Sequence, residues 1–157
     1  MDPITDYLTH DHERLDGLLA RSDHAAERLD LDAFHAFREG LLRHIAMEEK
    51  VLLPLAKQHR GGVALPVARR LSADHSALAM LLVPNPTRQI IAEIRRRLIA
   101  HNPLEEGPTG MYCVVAELLT KQEQSDVRSQ LVAFPQPPVA AYSDNPRVLS
   151  RIRELML

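Results

Sequence analysis

The stretch Phe37–Leu55 reads FREGLLRHIAMEEKVLLPL, and it predicts a long amphipathic helix. Its apolar residues recur at intervals of three and four, which is the spacing of one face of an α-helix. His44 and Glu48 fall on this apolar face, four residues apart, so an imidazole and a carboxylate are predicted to face the core together. Buried polar groups need hydrogen bonds or a bound ion, so this pair requires partners inside the protein.

Three other helical segments carry an inward histidine on their apolar face. These histidines are His12, His75 and His101, and the carboxylate of Glu105 follows His101 by four positions. His44-x3-Glu48-Glu49 therefore has an internal echo in His101-x3-Glu105-Glu106. By helical phase, His10 and His35 lie on the opposite faces of their helices and are predicted to face solvent.

Start and stop signals divide the chain into helices and predict an all-α, up-down-up-down four-helix bundle with extra short C-terminal helices. We expect residues 1–133 to form the bundle and residues 134–157 to form a Pro-rich connector and a short helix. Pro54 is expected to kink or end the second helix. The predicted helices run from Pro3 to about Arg28, from Asp30 or Asp32 to near His59, from near Pro66 to before Val83, from about Thr87 to before Gly107, from Met111 to Leu119, from a capping box at Thr120 to about Val132, and from Asn145 onward.

Composition excludes several classes of protein. The 157 residues include one cysteine, Cys113, so there is no internal disulfide and no cysteine-rich metal site. The net charge of -2 and an aromatic content of 4% predict no nucleic-acid partner, and Arg95–Arg97 is interpreted as a solvated helix face. No apolar run is long enough to span a membrane, and the N-terminus lacks a signal peptide, so the cytoplasm is the expected compartment.

The inward polar groups predict a metal site. Burying ionised carboxylates without compensation costs several kcal/mol, and divalent cations supply that compensation. Two cations are expected, each held by two histidines and bridged by both Glu48 and Glu105. Imidazole and carboxylate ligands without thiolate suit iron, zinc or manganese. The two carboxylate bridges favour iron, with room for an oxo or hydroxo bridge.

At this point the chain resembles the hemerythrin-like HHE cation-binding family. The matching elements are Asp11-His12, His44-x3-Glu48-Glu49 followed by Leu52-Leu53-Pro54, Asp74-His75, and His101-x3-Glu105-Glu106. The resemblance covers about residues 4–132. It implies a four-helix bundle that holds a non-haem di-iron centre. Its ligands would be His12, His44, Glu48, His75, His101 and Glu105, with the two glutamates as bridges.

Two departures from that family affect the interpretation. Oxygen-carrying hemerythrins have a second histidine four residues after the one on the third helix, where this chain has Ala79. The ligand set is therefore more similar to that of repair-of-iron-centres proteins, although the N-terminal domain of those proteins is not part of this sequence. Pro103 lies inside the His101–Glu105 turn, and a break there would bring Glu106 to the metal in place of Glu105.

Three functions share this ligand set. The first is a protein that senses or responds to oxygen, nitric oxide or iron. The second is a di-iron oxidoreductase acting on peroxide or nitric oxide, and the third is an iron store or donor for iron-centre repair. Tyr112 and Cys113 are expected to be ordinary packing residues, and a tyrosine fixed at the site would favour the enzyme. The apolar stripe of the C-terminal helix is expected to fold back on the core, with a homodimer or partner contact as the alternative.

Overall fold

Eight α-helices and one π-helical segment make up the computed structural model, which describes residues 1–157 and contains no strand. The second predicted helix is continuous, but its hydrogen-bond pattern changes at Glu48–Leu52 and divides it into three successive segments. The α-helices are α1 (Pro3–Ser22), α2 (Leu31–Met47), α3 (Leu53–His59), α4 (Ala68–Leu81), α5 (Arg88–Glu106), α6 (Met111–Glu117), α7 (Lys121–Val132) and α8 (Pro146–Leu155), and the π-helical segment is Glu48–Leu52.

Most helices begin at the caps that the sequence predicts. Asp2, Asp30 and Thr87 each accept a hydrogen bond from a backbone N–H in the first turn, which satisfies one of the donors left free there. Thr120 and Glu123 form the predicted capping box of α7.

The direction of each helix can be followed between two clusters of buried apolar side chains, which lie at opposite ends of the bundle. Along α1, Leu8 belongs to the first cluster and Leu15 to the second. Along α2 the order is reversed, since Leu41 belongs to the second cluster and Met47 to the first. The direction alternates again in α4 and α5, which gives an up-down-up-down four-helix bundle with further helices after it and confirms the predicted fold.

A polar layer separates the two clusters. His12 lies between Leu8 and Leu15 on α1, and His75 lies between Leu71 and Leu78 on α4. The inward histidines of α2 and α5 occupy the same level. The polar layer is therefore enclosed by apolar side chains on both sides, where water cannot reach it freely.

The first helix is shorter than predicted. It ends at Ser22 rather than near Arg28, because Ser22 Oγ donates back to the carbonyl of Leu19 and Asp30 N donates to the carbonyl of Ser22. Arg88 then donates to the carbonyls of three loop residues, Asp23, Ala25 and Ala26. These bonds satisfy the loop backbone without a helix.

Pro54 neither ends nor simply kinks the second helix, because a π-helical segment precedes it. Leu53 N donates to the carbonyl of Glu48, five residues back, in place of the usual α-helical bond. Since proline lacks a donor and its ring crowds the carbonyl four residues earlier, the wider turn accommodates Pro54, and the helix continues to His59. Such segments are frequent at functional sites.

Pro103 does not break α5. The helix runs through it to Glu106, because Pro103 lies on the exposed face, next to Ile99 with 71% exposure. The carbonyl that loses its partner is that of Ile99, and water can replace the missing N–H on this side. His101 and Glu105 consequently remain on one face.

The C-terminal segment packs on the bundle. Arg38, which is 4% exposed, donates to the carbonyls of Leu82 and Ala140, and its guanidinium stacks 4.0 Å from the Tyr142 ring centroid. On α8, Ile152 is buried in the second apolar cluster. The apolar stripe of α8 therefore folds back on the core.

The three consecutive arginines of α5, Arg95–Arg97, form ion pairs with carboxylates of the chain itself. Arg95 donates to both oxygens of Asp23, while Arg96 and Arg97 both bond Glu93. None of the helices has the length and apolar character needed to cross a membrane.

Candidate metal centre

The six residues predicted as ligands converge in the polar layer. The two glutamates are 0% exposed and each of the four histidines is at most 5% exposed. They enclose a space of only about 10 Å³ together with the apolar side chains of Leu41, Leu78 and Leu98, among others. A space of this size holds one water at most. The groups therefore face one another directly in a dry interior.

The donor atoms form two groups that share Glu105. The first group is His12, His44 and Glu105, and the second is His75, His101 and Glu105. Glu105 Oε1 lies 3.3 Å from His12 Nε2, whereas Glu105 Oε2 lies 3.0 Å from His101 Nε2. Each carboxylate oxygen thus faces one pair of imidazoles, an arrangement that can hold a cation on either side of the carboxylate.

Glu48 lies between the same two groups. Its Oε1 is 3.4 Å from His44 Nε2 and 3.5 Å from His75 Nε2, so it faces one imidazole of each pair. This oxygen is buried and makes no hydrogen bond. An unpaired buried carboxylate oxygen costs several kcal/mol, and a cation bound by the imidazole nitrogens would pair it. The orphaned oxygen and the nitrogen–oxygen donor set fit a metal.

A carboxylate lies against the outer nitrogen of every inward histidine. Each pair joins two neighbouring helices of the bundle, and the four pairs together form a closed ring. The Nδ1–carboxylate contacts are His44–Asp11 at 2.7 Å, His75–Glu49 at 2.7 Å, His101–Asp74 at 2.9 Å and His12–Glu106 at 2.5 Å.

These contacts determine which nitrogen of each ring faces the centre. An ionised carboxylate only accepts hydrogen bonds, so Nδ1 must carry the hydrogen and donate it. The Nε2 lone pair is then available in the interior, which is the tautomer a metal-binding histidine needs. Glu48, the first residue of the π-helical segment, faces the centre, while the adjacent Glu49 accepts from His75.

The structure also separates Glu105 from Glu106. Glu105 reaches the centre, and Glu106 instead accepts from His12 at the rim with a side chain 34% exposed. Glu106 does not take the place of Glu105 in this geometry, since α5 stays helical through Pro103. His10 and His35 are exposed, as predicted.

Tyr112 was expected to be a packing residue, and this expectation is wrong. Its hydroxyl lies 3.0 Å from His44 Nε2 and donates to Glu48 Oε2 at 3.0 Å. It is also 3.2 Å from His12 Nε2 and 3.3 Å from Glu105 Oε1. Tyr112 is 0% exposed, and a tyrosine at a fully buried position of α6 was the available signal, because its hydroxyl requires a polar partner.

Cys113, by contrast, is a packing residue. It is half-buried, and its Sγ lies 3.8 Å from Thr5 Oγ1 on α1.

Protons balance the charges of the centre when no cation is bound. Burial raises the pKa of Glu48 well above its ordinary value, and the charge of Glu105 raises it further. Burial acts in the same direction on Glu105, but hydrogen bonds with Glu48, His101 and His12 outweigh it and hold its pKa well below the ordinary value. Two carboxyl groups this close and this deeply buried do not both ionise unless a cation compensates their charge.

Burial, hydrogen bonds and neighbouring charges also set the pKa values of His12 and Tyr112. Burial lowers the pKa of His12, but hydrogen bonds with Glu105 and Glu106 outweigh it and raise that pKa to about 9. For Tyr112, burial and the charge of Glu48 both raise the pKa well above its ordinary value, so the phenol keeps its proton. Protonated ligands of this kind exchange their protons for a cation on binding.

Comparison with known proteins gives one match. The family model described as "Hemerythrin HHE cation binding domain" matches residues 4–119, more than two thirds of the chain, and this range includes all six converging residues as well as Tyr112. No curated protein and no solved structure matches the chain.

Proposed function

This chain belongs to the hemerythrin HHE cation-binding family, and on that premise we propose that it is a non-haem di-iron protein that responds to oxygen, nitric oxide or iron. The observation that carries the proposal is the orphaned Oε1 of Glu48, buried between imidazole nitrogens of both histidine pairs. No hydrogen-bond donor of the protein pairs with this oxygen.

Two ions fit the donor set better than one. His12 and His44 would hold the first and His75 and His101 the second, with Glu48 and Glu105 each spanning both. A single ion placed among all the donors would leave the inward nitrogens of one histidine pair uncoordinated. Imidazole combined with carboxylate suits iron, with zinc or manganese as substitutes.

A pair of iron ions supplies reversible electron transfer and open positions for a small ligand such as oxygen or nitric oxide. The protein residues control access and protons around it. Leu41, Leu78 and Leu98 exclude bulk water. Tyr112 keeps its proton and donates a hydrogen bond to Glu48, so the centre contains a hydrogen-bond donor that is not an imidazole.

Tyr112 favours a second candidate function, a di-iron oxidoreductase acting on peroxide or nitric oxide. A fixed phenol within 3.0 Å of His44 Nε2 can donate a proton to a reacting molecule there. No comparable observation favours the third candidate, an iron store or donor for iron-centre repair.

Elemental analysis of protein produced with iron supplied tests the proposal. We expect about two iron ions per chain, a sharp loss in His44→Ala and Glu48→Ala, and no change in the control His35→Ala, whose imidazole is exposed. A folded wild-type protein that takes up no metal would end the proposal.

An optical spectrum of the reduced protein, exposed to air and then to nitric oxide, separates the two candidates. Reversible adducts support a responding protein. Turnover of peroxide or nitric oxide that is lost in Tyr112→Phe, with the iron content unchanged, supports the oxidoreductase.

A further inference from the structure

A surface groove between α1 and α5 adjoins the candidate metal centre. It has a volume of about 440 Å³, and its lining includes Asp16, Arg95, Leu98, Asn102 and Glu106. Leu98 and Asn102 also line the small space among the six converging residues. The wall between solvent and the centre is therefore one side chain thick at this place.

Asn102 is the polar part of that wall. Its Oδ1 is enclosed and has no hydrogen-bond partner, which costs about 1–3 kcal/mol. An apolar residue such as the neighbouring Leu98 would close the wall without this cost. An unpartnered amide oxygen beside the centre indicates that a polar species makes use of it.

The charge of the groove favours a cation. Asp16 and Glu106 contribute carboxylates, of which that of Glu106 accepts from His12, and the guanidinium of Arg95 is held by both oxygens of Asp23. The groove therefore has a surplus of negative charge, which raises the local concentration of cations and disfavours anions. Carboxylate and amide oxygens are also ligands that can replace the waters of a hydrated divalent cation.

We propose that this groove is the entry site for the divalent cation, and that Asn102 binds the cation as it crosses the wall into the centre. The inference rests on the proposed metal-binding function. Asp16 and Glu106 attract the hydrated ion at the mouth. The amide oxygen of Asn102 then replaces part of its water shell before the ion reaches the imidazoles, because the centre has no room for a hydrated ion.

The rate at which metal-free protein takes up Co²⁺ tests this entry site, since the visible absorption of Co²⁺ reports its transfer from water to imidazole and carboxylate ligands. Asn102→Leu fills the wall and is expected to slow uptake about tenfold, with the final Co²⁺ content unchanged. Asn102→Asp keeps an oxygen ligand at this position and adds negative charge, so its uptake is expected to be at least as fast as that of the wild type. Slow uptake in Asn102→Leu beside fast uptake in Asn102→Asp cannot arise from a general loss of stability.

The matched control is Gln89→Leu, an exposed position on the same helix that lines neither space; its uptake rate should equal that of the wild type. Wild-type rates in both Asn102 variants would overturn the entry site while leaving the metal centre intact. A folded Asn102→Leu protein that never loads would also overturn it, because Asn102 would then belong to the centre itself. Wild-type protein that takes up no ion would overturn the metal-binding function, and the entry site with it.

Discussion

At the scale of single residues, the second carboxylate of each sequence motif has a definite task. Glu48 and Glu105 face the centre, while the adjacent Glu49 and Glu106 face the outer nitrogens of histidines on other helices. Outer carboxylates of this kind orient metal-binding imidazoles and increase their basicity. Each of them is therefore expected to influence one half of the centre more than the other.

Glu49 provides the sharpest test of this division. Glu49→Ala removes the acceptor of His75 Nδ1, so the cation at His75 and His101 should bind about 10–100-fold more weakly, and the one at His12 and His44 should be little changed. Titration calorimetry with two resolved binding steps measures this. Glu49→Gln keeps an acceptor oxygen and should restore part of the affinity, and Glu13→Ala, an exposed carboxylate beside His12, is the control. Equal weakening of both steps would contradict a local role.

The protonation of His12 gives a pH dependence with a definite sign. Its pKa is raised from an ordinary value of 6.5 to about 9 in the metal-free fold. A group with a raised pKa stabilises the fold fully below its unfolded pKa, and this contribution is lost as the pH rises through the folded pKa.

We therefore expect the thermal stability of metal-free protein to decrease between pH 6.5 and about 9. Metal-loaded protein should not show this decrease, because the bound cation replaces the proton. Thermal unfolding followed by circular dichroism, with and without metal, measures the difference. Parallel pH profiles for the two forms would contradict the assignment.

At the scale of the helices, the sequence could predict most of what positions the site. The caps at Asp2, Asp30 and Thr87 and the apolar spacing are local signals, so the helix order and the inward direction of His12, His44, His75 and His101 followed from them. The π-helical segment did not follow, because it depends on how Pro54 is accommodated within a packed helix. The position of Tyr112 depends on how the turn after α5 returns the chain to the bundle, and the spacing of apolar residues within a helix does not predict the course of that turn.

The turn between α5 and α6 is set by a close approach at Gly110. A Cβ at this position would lie 2.6 Å from the carbonyl oxygen of Glu105 and 2.8 Å from Gly107 N, both backbone atoms that cannot rotate away. Only glycine allows α6 to begin so close to the end of α5, and this contact keeps Tyr112 near Glu105.

Gly110→Ala is therefore expected to destabilise the protein by about 1–3 kcal/mol and to lower its metal content, since the backbone of Glu105 must shift. Gly17→Ala on α1 is the control, because a Cβ there meets nothing within 4 Å, and it should stabilise the helix by about 0.5–1 kcal/mol. Urea unfolding and elemental analysis measure both effects. A Gly110→Ala protein as stable and as metal-rich as the wild type would contradict the close approach.

At the scale of the whole molecule, residues 134–157 are held to the bundle by a few polar contacts and the apolar stripe of α8. Arg38 is the main polar anchor, through the carbonyls of Leu82 and Ala140 and the ring of Tyr142. Ser143 N also donates to the carbonyl of Val83. The division of the chain at residue 133 stays a prediction, and in the structure residues 134–157 lie along the bundle as a strap that ends in α8.

Arg38→Ala should loosen this strap, because it removes the charge-assisted bonds of a buried guanidinium and leaves two carbonyls without that donor. We expect a loss of about 2–4 kcal/mol and faster amide hydrogen exchange in residues 140–157, with the exchange of α1 and α5 around His12 and His101 little changed. Arg28→Ala, an exposed arginine of the α1–α2 loop, is the control. Unchanged exchange in the strap would show that α8 alone holds it.

The central claim is that two cations lie in the polar layer between the two apolar clusters, one at each histidine pair. Anomalous X-ray scattering at the iron edge from crystals of iron-loaded protein tests this most directly. The account predicts two anomalous peaks, one beside Nε2 of His12 and His44 and one beside Nε2 of His75 and His101, with Glu48 and Glu105 reaching both. A folded, iron-exposed crystal with no peak among these residues, or with its peaks elsewhere on the molecule, would contradict it.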